Sequence, residues 1–123
     1  MFQAHLKRLV ESTEGGLAGL LMGFDGIAVD TYSSPSYGAA AVPDINTVGM
    51  EFSFILTQVR KAAEILEIGA VNEVTIRAER LTLLMRVISP EYFVALAIVA
   101  DGNFGKGRYL LRVVAPKLLV ELS

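Results

Sequence analysis

One histidine, His5, and thirteen carboxylates are the groups in this 123-residue chain that could carry acid–base or metal chemistry. Such chemistry needs them grouped, within hydrogen-bond reach of a substrate or around one ion. With no cysteine and a single histidine, a metal site would have to be built from oxygen alone, yet the aspartates and glutamates are dispersed along the sequence. A Ser-His-Asp arrangement would have to bring His5 to Ser33, Ser34 or Ser36, and no motif supports that meeting. His5 therefore reads as a surface residue of an N-terminal helix. The expectation is a protein with no catalytic residue, no cofactor and no metal.

Two further stretches invite chemistry. ADGNFGKG, residues 100–107, stands where a phosphate-binding loop would stand, between a strand and a helix. It has Ala100 in place of the first required glycine and Gly107 in place of the magnesium-binding hydroxyl. Turn chemistry is the better reading of it. In LAGLLMGFDGIAVDTY, residues 17–32, Asp25-Gly26 divides two apolar runs, so Asp25 serves a two-residue hairpin turn rather than an acid's role. Arg77, Arg80 and Arg86 cluster around another hairpin, where solvated strand faces and an acidic partner explain them equally. Neither Arg60 nor Lys61 is specific enough to be an arginine finger.

The elements that position these residues follow from periodicity. Phe2, Leu6, Leu9 and Val10 recur at helical spacing and predict a helix ending before Gly15-Gly16. Two strands surround Asp25-Gly26, pairing Phe24 with Ile27 and Met22 with Val29 on one face. Gly19, Gly23 and Ala28 on the other face would let a helix approach closely. After an irregular connection, residues 33–45, comes a long helix with Asp44 or Asn46 as N-cap and Gly69 as its stop. Val48, Phe52, Ile55, Val59, Ala62 and Leu66 form its predicted sheet-facing stripe. Met50, Phe54 and Ile65 fall on the opposite side, among Thr57, Gln58 and Lys61, and mark a contact surface.

Residues 71–78 alternate, with Val74 and Ile76 on one face and Glu73, Thr75 and Arg77 on the other, and predict a half-exposed edge strand. Residues 81–88 are more apolar. Residues 92–100 are apolar on both faces, as is the Leu17 strand, so these two should lie side by side at the centre. A closing helix from about Lys106 contains Pro116, which should kink it or break it in two. The order is helix, two strands, helix, three strands, helix: an α+β chain with one mostly antiparallel sheet covered on both faces, in a single domain spanning 1–123.

Composition narrows the function. A net charge of −2 with eleven basic residues disfavours nucleic-acid binding. The N-terminus lacks the uninterrupted apolar run of a signal peptide, and no run is long enough to span a bilayer as a helix, so a cytoplasmic protein without membrane insertion is expected. Hydrophobic residues make up 53% of the chain and charged ones only 20%, more apolar than a small monomer needs, which points to an oligomer.

The hairpin GLAGLLMGFDGIAVDTY, the helix EFSFILTQVRKAAEIL and the ending YFVALAIVADGNFGKGRYLLRVVAPKL together resemble the Roadblock family, the dynein light-chain Roadblock domains, and within it bacterial MglB-like members. The resemblance spans nearly the whole chain. It implies an α-β-β-α-β-β-β-α fold, a five-stranded antiparallel sheet with the long helix on one face and the two terminal helices on the other. It further implies a homodimer in which the long helices pack together and the strands near 71–78 join, which adds Val71, Glu73, Thr75 and Arg77 to the interface. The implied partner is a Ras-like small GTPase, whose hydrolysis MglB-type members accelerate without an arginine finger; the alternative is a scaffold for motility, polarity or signalling complexes. The chain ends at Ser123, directly after the last helix, so the C-terminal extension that some MglB-type proteins use is expected to be missing.

Overall fold

In the computed structural model, which describes residues 2–40 and 42–123, the first element is α1, Phe2–Glu11. Its Leu6, Leu9 and Val10 are buried, as their spacing requires. Strands β1 (Gly16–Gly23) and β2 (Ala28–Ser33) follow. A single 3₁₀ turn at Tyr37–Ala40 precedes α2, Ile45–Ile65. Ala41, within the 33–45 connection, lies outside the described residues. Strands β3 (Glu73–Arg77), β4 (Thr82–Val87) and β5 (Tyr92–Ile98) lead into α3, Phe104–Leu122.

All neighbouring strands are antiparallel, in the order β2-β1-β5-β4-β3. The two strands that are apolar on both faces, β1 and β5, are central and adjacent, and β3 is an edge. Strand alternation divides the core. Leu20, Met22, Met85 and Phe93 pack with Ile45, Val48 and Leu56 of α2. Leu21, Leu84, Val94 and Leu96 pack with Leu6, Leu9 and Val10 of α1 and with Leu111, Val114 and Leu118 of α3.

The hairpin departs from the two-residue turn. Gly26 N–H donates to the Gly23 carbonyl and Gly23 N–H to the Ile27 carbonyl, both at 3.0 Å, so the connection holds three residues, Phe24 to Gly26. Gly26 alone takes a positive φ, +85°, while Asp25 Oδ1 accepts from Ile27 N–H at 3.1 Å. This is a β-turn closed by a left-handed glycine. Consequently Met22 faces Ala28, not Val29, and a bulge separates it from the Leu21–Asp30 pair. Ala28 thereby packs on the α2 side with Met22, away from Gly19, whose missing side chain admits Leu6 and Val10 of α1.

Pro116 neither breaks α3 nor divides it; the helix runs unbroken to Leu122. Arg112, whose carbonyl loses its partner, and Pro116 are both exposed, so water can solvate the freed group.

Candidate interaction surface

The side chain of Asp44 caps α2 by accepting from Thr47 N–H at 2.8 Å, and that bond holds its carboxyl below the ordinary value of 3.8. Tyr37, buried beside this cap, donates from its hydroxyl to the Pro43 carbonyl at 2.5 Å; burial, with the nearby Asp44 charge, raises its pKa. At the other end, Ile68 N–H bonds to the Ala63 carbonyl and Glu67 N–H to the Glu64 carbonyl, a Schellman closure. Glu67 holds the left-handed position at φ 54°, so the helix stops before Gly69.

Which face of α2 points inward differs from the apolar stripe read in the sequence. The buried residues are Ile45, Val48, Gly49, Ser53, Leu56 and Ala63. Ile55, Ala62 and Leu66, expected against the sheet, are exposed. Small residues decide the phase: a Cβ on Gly49 would overlap Leu20 Cδ2, so that side of the helix can sit closest to β1. Ser53 is buried at no polar cost, because its hydroxyl donates to the Met50 carbonyl at 2.6 Å. The row of Gly49, Ser53 and Ala63 was the available signal.

Larger apolar side chains therefore remain outside. Met50, Phe54 and Ile65 are exposed to 46%, 59% and 80%, with Gln58 and Lys61 exposed among them. Thr57 is partly covered and its hydroxyl donates to the Ser53 carbonyl. Ile55, Leu66 and Ile68 are exposed as well. Arg60 is spoken for, stacked 3.9 Å over the Phe24 ring and donating twice to the Pro90 carbonyl.

The β3 candidates sit in another layer. Glu73 accepts from Arg86 at 3.2 Å and from Arg108 of α3 at 2.5 Å; Thr75 is partly buried beside this network. Arg77 stacks 4.5 Å from the Phe104 ring. Val71 packs instead toward the α2-side core. The structure thus groups Met50, Phe54, Thr57, Gln58, Lys61 and Ile65 on one helix face. Glu73, Thr75 and Arg77 lie on the α3 side of the edge strand.

The residues singled out for chemistry are distributed differently. His5 is half-buried rather than free on the surface, with Nε2 2.5 Å from Glu121 Oε2, and Ser34 Oγ lies 2.9 Å from Ser36 Oγ. Asn103 caps α3 by accepting from Lys106 N–H, which gives the 100–107 loop its structural task. Among the described residues, no group of three His, Cys, Asp or Glu could hold a metal, and no helix is long and apolar enough to cross a membrane.

No family model and no curated protein matches the chain. Solved structures do. MglC from Myxococcus xanthus is 49% identical, with 98% of each chain covered and a TM-score of 0.69. A Roadblock/LC7 domain from Streptomyces avermitilis is 13% identical over 98% of this chain and 96% of that one, at 0.82. An MglB with a tetrameric arrangement is 17% identical, covering 94% and 83%, also at 0.82. The last two share the fold; the first shares close to half of the sequence as well.

Proposed function

This chain belongs to the Roadblock/LC7 domain family, in its bacterial MglB/MglC type, and on that footing we propose that it is a cytoplasmic, non-catalytic homodimer that regulates a Ras-like small GTPase. The exposed apolar face of α2 carries the reading. A monomer would leave Met50, Phe54, Ile65 and their neighbours in water while small residues occupy the inward face. A second copy laid against the same face buries them symmetrically. Strand β3, an edge, supplies backbone groups through which two sheets can join.

The GTPase is the partner implied by the family resemblance, and the regulation proposed is rearrangement of the GTPase rather than donation of a catalytic group. Support comes from the 49% identity to a protein named MglC and from the fold shared with MglB structures, one of them described as a gliding protein.

Single-turnover GTP hydrolysis by a Ras-like GTPase of the same organism, with and without this protein, tests the reading. Acceleration, lost on Phe54→Asp, is the expected result. Binding that ignores whether GTP or GDP is present, without acceleration, would replace it with the scaffold role.

A further inference from the structure

Charge in this chain is segregated by layer. Helices α1 and α3 together carry six cations (Lys7, Arg8, Lys106, Arg108, Arg112 and Lys117) against two carboxylates, Glu11 and Glu121. The remainder carries five cations against eleven carboxylates, so a basic helical face stands on an otherwise acidic molecule. Four of the eight are already engaged: Arg108 by Glu73, Glu121 by His5, Glu11 by the Tyr32 hydroxyl, and Arg112 over the Tyr109 ring.

Between α1 and α3 runs a groove of about 90 Å³, floored by Leu9, Leu110, Val113 and Val114 and walled by Arg8 on one helix and Lys117 on the other. The His5–Glu121 contact joins the two helices there. On the α3 side the apolar surface continues outward through Val113, exposed to 39%, to Tyr109 and Val120, at 55% and 74%. This surface belongs to the opposite side of the sheet from α2.

We infer that the α1–α3 groove is a second docking site, which receives an acidic amphipathic helix from a different protein. Two adjacent helices offer a third a seam to nest in. The volume suits one aliphatic side chain as anchor. Arg8 and Lys117, on opposite walls, fit carboxylates placed on both flanks of that anchor, and the surplus of cations draws an acidic segment to this layer. The indentation favours a helix over a flat lipid surface.

The test is NMR titration of the full chain with a short synthetic amphipathic helix whose leucine stripe is flanked by glutamates. A copy with lysines in place of the glutamates serves as control. The expected result is shifts confined to amides of residues 5–12 and 106–117, weakened by salt and absent with the lysine peptide. Arg8→Glu with Lys117→Glu should weaken binding about tenfold or more while leaving the melting curve in place, since both side chains are exposed. Phe54→Asp should leave it intact, which separates this site from the α2 surface. Equal binding of the lysine peptide, no binding, or shifts on α2 would overturn the inference. So would binding to vesicles of phosphatidylcholine and phosphatidylglycerol in place of the peptide, or a larger self-assembly abolished by the charge reversal.

Discussion

Phe54 and Leu56 lie two residues apart on α2 and should fail in opposite ways. Phe54 is 59% exposed and Leu56 is fully buried. A phenylalanine has about 150–250 Å² to bury, so a partner covering the exposed share of Phe54 removes roughly 100–150 Å² from water, about 3 kcal/mol at ~25 cal/mol per Å². In a twofold-symmetric dimer the residue counts twice. Phe54→Ala should therefore weaken association by up to about 6 kcal/mol, about four decades in Kd. Phe54→Asp should do at least as much by placing a charge in the seam. Neither change opens a cavity within the protomer, whose own stability should move by no more than ~0.5 kcal/mol. Leu56→Ala should instead cost about 2–5 kcal/mol of folding stability. Sedimentation equilibrium over a range of concentrations, with a thermal melt of each variant, reads both quantities. A Phe54→Asp protein that remains dimeric with an unchanged Kd would refute the assignment of this face as the seam.

Other perturbations follow from the backbone and the caps. Glu67→Gly relieves a left-handed residue at the end of α2 and should add about 1 kcal/mol, raising Tm by roughly 4 °C in calorimetry. Gly16→Ala drives a Cβ into the carbonyl oxygen of Val10, backbone that cannot swing aside, and should destabilise by about 3 kcal/mol in urea unfolding. Asp44 titrates below its ordinary value because it caps Thr47 N–H, so its contribution is present above pH 3.8 and is lost as pH falls through the lower, folded value. In acid melts, Asp44→Asn should therefore flatten the pH dependence over that interval, and parallel curves for the two proteins would contradict this account.

Much of the architecture was legible because it is written in local spacing. The alternation of Val74 and Ile76 with Glu73, Thr75 and Arg77 identified an edge, and the two-faced apolarity of β1 and β5 placed them side by side. The outward position of Met50, Phe54 and Ile65 was legible for the same reason. Ile55, Ala62 and Leu66 were misplaced because hydrophobicity alone cannot set the phase of a helix whose contact side is lined with glycine, serine and alanine. The hairpin register escaped only beside the turn: one left-handed glycine adds a residue to the loop and pairs Met22 with Ala28, and the bulge after Met22 restores the predicted register from Leu21–Asp30 onward.

The sequence by itself determined the order of elements, the central strands and the presence of surplus apolar surface on α2, since each follows from a period of two or of 3.6 along the chain. Only the tertiary structure decided how closely each helix face approaches the sheet and how Pro116 is carried in an unbroken α3. It also decided that His5 meets Glu121 and that Arg8 of the first helix and Lys117 of the last wall one groove. Those depend on distances between residues remote in sequence, and packing, not periodicity, sets them.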